Sequence, residues 1–452
     1  MKLPLFALVI ILGSLFFSNG IIGQVPMNVL DRNQMVQDIF FAHEKIKKYH
    51  PDLTAFESVE NLNYFVEALV SEVPDSLDEF KFRAMLNRYP NYLGCGHTSF
   101  RPRAQKVDIK LNYFPLPVFL EGKQLYVRSG KYAGALIKSI NEAPGHVVAR
   151  TIRKSIPKDA VHESFANYRL QKYFQVYQFL RLGGKDTFDL ELIKENESIN
   201  ISISSSSILF KSQNLILSKL GQTNKVAVLE MPSVGFKKNK KTLKQLFAVI
   251  ADSKMETLIV DLRNNGGGNF MHGCHFLQHI LDEKFEFVFH RKIGKLDFKK
   301  NSSWGWPHRL TRFAFSTIPN KSKKDGSKYY KLKFRPKKKN NFNGKLYVIT
   351  DGGTFSMASY IASHLKHKSG ATVVGAETGG ADRGSNALLS PRIELPNSKI
   401  RLQLPLYHIQ HDVEQPSANG VLPDQIITYT IEDYLQKKEL EMEYIIELEK
   451  IN

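Results

Sequence analysis

The chain has 452 residues, 42% of them hydrophobic and 24% charged, with 63 basic side chains against 44 acidic ones and a formal net charge of +19. That length exceeds one hydrophobic core and implies two or three domains, and the composition excludes a disordered or fibrous chain. The basic excess is concentrated between Lys295 and Lys345. With no zinc-finger spacing and no recognition-helix signature beside it, it does not indicate nucleic acid as a partner.

Met1 to Gly23 reads as a secretory signal peptide: Lys2 supplies the basic start, Leu5 to Phe17 the apolar stretch, and Ser18-Asn19-Gly20 or Ile21-Ile22-Gly23 the small residues of a cleavage site. The apolar stretch is shorter than the ~20 residues a membrane span needs, and no later segment is longer. The expectation is a periplasmic or secreted protein without stable membrane insertion. Two cysteines, Cys95 and Cys274, are compatible with one bridge or with two buried thiols.

From about 27 to 90 the spacing predicts helices. Apolar residues recur three and four apart over Met35–Tyr49 and Glu57–Val73, and Asp75–Glu79 reads as a helix start. The segment ends in Leu93-Gly94-Cys95-Gly96-His97, where a histidine sits among glycines. Alone, it reads as a surface loop residue; a serine nucleophile elsewhere would give it a use as a base. From Phe114 to about Ser207, short alternating strands and one or two helices predict a compact β-rich unit.

Thr257–Leu262 is a near-continuous apolar strand of the kind buried in a parallel sheet. It runs into Arg263-Asn264-Asn265-Gly266-Gly267-Gly268-Asn269, whose glycines let the backbone approach a ligand and present N–H groups. The lysine of a phosphate-binding loop and the dinucleotide glycine pattern are both missing, so the choice is between an oxyanion site and a plain turn. His275 and His279 follow four apart, a zinc-like spacing, but without a glutamate or third ligand they do not define a metal site. Residues 283–343 form a basic, aromatic insertion containing Trp304-Gly305-Trp306-Pro307 and a hairpin signal at Asp325-Gly326.

Leu346–Ile349 is a second buried strand, broken by Asp351-Gly352-Gly353 and followed by helical spacing from Met357. Ser356 therefore sits at a strand–turn–helix junction, as a nucleophile beside free helix N–H groups or as an ordinary N-cap. A strand and glycine turn at Ala371–Ala381, carboxylates at Asp412 and Glu414, and a charged amphipathic helix over Glu432–Ile451 complete the chain.

Four segments, in this order, resemble the tail-specific, or C-terminal-processing, serine peptidase family, which includes the tricorn core and interphotoreceptor retinoid-binding protein: Asp261–Gly268, Gly353–Ser359, Val373–Gly379 and Gly420–Asp424. The resemblance covers essentially the whole mature chain. It implies a multidomain α/β protein with a crotonase/ClpP-like β-α catalytic domain over 208–452, a PDZ-like domain over 106–207 and an N-terminal helical domain over 24–105. Ser356 matches the nucleophile; Gly267 and Gly268, with the Met357 N–H, match the oxyanion region.

One branch of the family uses a lysine base, but Ala381 stands at that position and the nearby Arg383 guanidinium does not deprotonate. The tricorn-like branch takes a histidine from the N-terminal region, which His97 matches, and orients it with a carboxylate, for which Glu414 is the choice and Asp412 the fallback. The implied activity is endopeptidase cleavage, near C-termini, of unfolded or peptide substrates, with no cofactor and no metal. Two other functions stay open: an inactive binder of peptides or lipophiles on the same scaffold, and a polyanion binder acting through the Lys295–Lys345 stretch.

Overall fold

The computed structural model describes residues 28–103, 112–206, 216–220, 225–235, 239–291, 320–322 and 327–450. The signal-peptide segment, Trp304–Pro307 and the Asp325-Gly326 turn lie outside the described residues.

Thr257–Asp261 and Lys345–Thr350, read above as buried strands, are neighbours at the centre of a six-stranded sheet. The order is Ile216–Leu220, Val226–Glu230, Thr257–Asp261, Lys345–Thr350, Thr372–Gly375, Gln425–Ile426, all parallel beyond the antiparallel first pair. Side chains alternate across a strand, so each strand feeds two cores. Val228, Ile259, Tyr347 and Ile349 face one side, closed by Ile445 of the C-terminal helix Leu440–Leu448. Leu229, Val260 and Val348 face the other, packed with the helices Asn239–Asp252, Phe270–Leu277 and Met357–Ser369. The single helix expected over Glu432–Ile451 is two, Ile431–Leu435 and Leu440–Leu448, separated by Lys437 in a left-handed conformation at φ 55° that a helix cannot continue through.

Of the N-terminal helices Arg32–Tyr49, Val59–Ser71, Glu79–Leu86 and Arg88–Leu93, the first three start at side-chain caps. Asp31 accepts from the Gln34 N–H and Asp78 from the Lys81 N–H, each at 2.9 Å. Their apolar faces do not close on one another alone. Met35, Ile39, Phe82 and Leu93 share one continuous core with Ile393, Leu402 and the sheet helices. The strand Ser99–Arg101 pairs antiparallel with Arg401–Gln403. This pairing fastens the turn just before it, which carries His97, to the rest of the catalytic region.

The β-rich unit has a core of its own. The strands Val118–Glu121, Gln124–Val127, Leu136–Ile140, Thr187–Lys194 and Glu197–Ser204 lie in that order, with the helices Gly145–Arg153 and Ser164–Leu182 packed on them. In the basic insertion, Asn320–Ser322 pairs antiparallel with Lys328–Phe334 and extends a second sheet through Phe285–Arg291, Tyr407–Gln410 and Gly384–Ala387. Among the described residues, no helix is long and apolar enough to cross a membrane.

Candidate active site

Because the two central strands are parallel and adjacent, with Asp261 opposite Ile349, their carboxyl ends release two loops on the same edge. That edge is where open α/β sheets place ligands. The loops are zipped together: Leu262 N–H donates to Ile349 O, Phe355 N–H to Asn265 O and Thr354 Oγ1 to Leu262 O, each at 2.9 Å. Asp351 accepts from the Asn264 and Gly353 N–H groups, both at 2.9 Å, and burial pushes its carboxyl up to about 6.

The second loop ends on Ser356, at φ 57° and ψ −121°. A residue with a Cβ rarely adopts this backbone, and its appearance at a strand-to-helix turn is the geometry that exposes a nucleophile. Ser356 occupies the N-cap position of Met357–Ser369, but its side chain makes no capping bond. The Oγ lies instead 3.1 Å from His97 Nε2, across 259 residues of sequence. The imidazole is stacked on Phe355 (4.7 Å between centroids, 24°), and Phe355 on Phe165 (4.1 Å, 12°). This ring stack leaves the histidine little rotational freedom.

Gly267 presses against the same turn. A Cβ there would stand 2.8 Å from Met357 N, Phe355 O and Ser356 Cβ, and its φ is 93°. Its N–H, however, is taken by Asn265 Oδ1 at 2.9 Å. The expected oxyanion role of Gly267 is thus corrected to one of close approach: the asparagine side chain claims the donor. Val234 N–H donates to Gly267 O and Asn269 N–H to Val234 O. In a trans peptide this turns the exposed Gly268 N–H away from Val234. Met357 stands at the uncapped start of its helix, next to Ser356, and Gly268 follows the glycine that packs against that turn. Gly267→Ala is expected to lower peptidase turnover about 10²-fold by displacing the Ser356 turn, and to lower the melting temperature, since the positive φ alone costs ~1–2 kcal/mol. Turnover and thermal melts of the variant check both.

Glu414 is not brought to the histidine. It is exposed at the surface, with no oxygen within ion-pair distance of His97. The fallback, Asp412, accepts from the Glu286 N–H at 2.9 Å and faces Lys368 at 3.8 Å. The carboxylate beside His97 is Asp159, whose Oδ1 lies 3.8 Å from Nδ1. Sequence reasoning missed it, because Lys158-Asp159-Ala160 lies in a charged connection with no local signature. A second buried imidazole, His162, lies 3.8 Å from Glu377, which accepts from the Gly420 N–H at 2.9 Å. Glu377 and Gly420 both belong to segments that carried the family resemblance.

Cys95 and Cys274 are both buried free thiols; burial pushes the Cys95 thiol up to about 12. His279 stacks on Phe247 at 4.6 Å, and burial pushes the neighbouring His275 down to about 4. Among the described residues, no cluster of three histidine, cysteine or acidic side chains could hold a metal ion.

A serine on a strained turn lies within hydrogen-bond reach of a histidine at the edge of a parallel sheet, an arrangement found among serine-type hydrolases. Residues 225–427 match the model of peptidase family S41, and the chain matches that family of tail-specific serine peptidases, acting on peptide or protein substrates. Mature CPAF complexed with lactacystin has a TM-score of 0.64 at 15% identity, covering 93% of this chain and 98% of that one. Mature CPAF alone gives 0.63 at 14%, covering 93% and 97%. A putative peptidase from Parabacteroides merdae gives 0.48 at 14%, covering 91% and 96%. For the two CPAF structures, at these identities, the likeness is one of fold. No curated protein matches the sequence.

Proposed function

We propose that the protein is an extracytoplasmic serine endopeptidase in which Ser356 is the nucleophile and His97 the general base, cleaving unfolded or peptide substrates near their C-termini. The observation that carries this reading is the 3.1 Å approach of His97 Nε2 to Ser356 Oγ. Serine oxygen is a weak nucleophile until a base takes its proton as it attacks. As the Ser356 Oγ–carbon bond forms, the proton passes to Nε2 and the carbonyl oxygen becomes an oxyanion, facing the N–H groups of Gly268 and Met357. The tetrahedral adduct collapses by expelling the amine, which takes the proton from His97 and leaves an ester on Ser356. Water, deprotonated by the same imidazole, attacks the ester and returns the serine. In this reading the unit around 112–206 is PDZ-like and presents substrate, and the parallel-sheet region is crotonase-like. The apolar stretch at the amino terminus supports export.

The test is hydrolysis of a fluorescein-labelled, unfolded casein. His97→Ala is expected to lower the rate about 10³-fold or more while the protein stays folded. A variant as fast as the parent would remove His97 from the chemistry.

A further inference from the structure

We propose that Asp159 is the positioning residue for His97, completing a Ser356–His97–Asp159 line. This rests on the Ser356–His97 reading above and adds the group that fixes the imidazole. Asp159 belongs to the β-rich unit, in the connection between the helices Gly145–Arg153 and Ser164–Leu182. Its side chain is 4% exposed, and its Oδ1 lies 3.8 Å from His97 Nδ1.

The connection is fastened to the histidine turn in two places. The Gly96 N–H donates to Asp159 Oδ1 at 2.7 Å, and the Ala160 N–H donates to Gly94 O at 3.1 Å. The residues on either side of the carboxylate are held as well: Lys158 Nζ donates to Glu163 Oε1 and to Val161 O, both at 2.7 Å, and Ala160 is in the left-handed region at φ 56°. The carboxylate is therefore built into place rather than carried on a free side chain.

Two atoms remain unused. Among the described residues, His97 Nδ1 and Asp159 Oδ2 are both buried without a hydrogen-bond partner. One is a ring nitrogen able to donate and the other a carboxylate oxygen able to accept, on side chains already within ion-pair distance. A buried donor and a buried acceptor left apart are costly, which favours their pairing across a gap that is already within ion-pair distance. Catalytic hydrogen bonds are commonly long before substrate binds and tighten afterwards. With Nδ1–H directed at Asp159, the neutral imidazole keeps its lone pair on Nε2, where the Ser356 proton must go. Once that proton arrives, the imidazolium donates from Nδ1 to the carboxylate.

Among the described residues, the carboxylates of Glu414 and Glu377 do not compete. Glu414 is at the surface, and Glu377 is engaged by the Gly420 N–H and faces His162. The consequence is that the line is drawn from three packing units. The base comes from the N-terminal helices, the nucleophile from the parallel sheet, and the orienting carboxylate from the β-rich unit.

Two measurements test it. The first is the ¹⁵N spectrum of histidine-labelled parent protein, with the His97 signal assigned by its loss in His97→Gln. Neutral His97 is expected as the Nδ1–H tautomer; an Nε2–H tautomer overturns the proposal, and this result needs no Asp159 variant to fold. The second is the rate at which a fluorophosphonate probe labels Ser356. Asp159→Ala is expected to slow labelling about 10²-fold and to release the tautomer to Nε2–H, with Asp159→Glu recovering most of the rate. Labelling of folded Asp159→Ala at the parent rate overturns the proposal. Failure of the underlying reading looks different: the parent itself would carry no adduct on Ser356.

Discussion

Ser356→Ala is expected to lower hydrolysis of an unfolded protein roughly 10⁶-fold, the loss seen when a serine nucleophile is removed from an intact triad. It should leave the melting temperature within experimental scatter. The Oγ makes no capping bond, so no stabilising contact of the helix Met357–Ser369 is lost with it. The backbone strain at φ 57° is set by the presence of a Cβ, which alanine keeps. Ser356→Gly separates the two effects. It should be equally inactive but more stable than Ser356→Ala, because glycine adopts this conformation without the ~1–2 kcal/mol penalty. Residual hydrolysis near the parent rate in either variant would show that another residue attacks the substrate.

The second large effect is expected on acidification. Behind the serine helix lies a group of buried imidazoles. His364 stacks on Tyr360 at 3.9 Å with its Nδ1 against Tyr360 O, His411 meets the edge of the same tyrosine, and His408 faces Asn386 and Asp52. Burial holds His364 and His411 below the ordinary histidine value and pushes His408 down to about 3. A group whose folded pKa is depressed binds protons first in the unfolded chain. Stability is therefore present above the unfolded value of ~6.5 and is lost as the pH falls toward the folded one. At pH 5, His408 alone costs about 2 kcal/mol, at 1.36 kcal/mol per unit. Asp351 opposes this, since its carboxyl, raised to about 6, is protonated in the folded protein first and returns about 1 kcal/mol between pH 6 and 5. With His364 and His411 added, the net is a loss. Urea denaturation at pH 7.5, 6 and 5 should give falling midpoints, and a flat or rising series would contradict the burial of these rings in the neutral form.

The parts of the site legible in the sequence are those made by local geometry. A run of β-branched residues broken by glycines, followed by helical spacing, located the Ser356 turn. A buried strand running into three glycines located the loop that meets it. The juxtaposition of the two follows from parallel pairing of the strands. His97 was visible only as a histidine among glycines, and its use depended on the pairing of Ser99–Arg101 with Arg401–Gln403, some 300 residues away. The carboxylate that lies beside the histidine is illegible for the same reason. Glu414 stood near a recognised segment, whereas Asp159 reaches the histidine because two packing units meet there, and no spacing rule encodes that contact. The N–H of Gly267 was lost to Asn265 two residues before it, a local competition of the kind asparagine side chains commonly win. The N-terminal helices were legible as helices but not as part of the main core, since periodicity marks an apolar face without naming what covers it.

The most direct test is to treat the protein with a fluorophosphonate probe, digest it and locate the adduct by mass spectrometry. One modified serine, Ser356, is expected, with modification lost in His97→Ala. An adduct on a different serine, or undiminished peptide hydrolysis by a protein whose Ser356 stays unmodified under saturating probe, would contradict it.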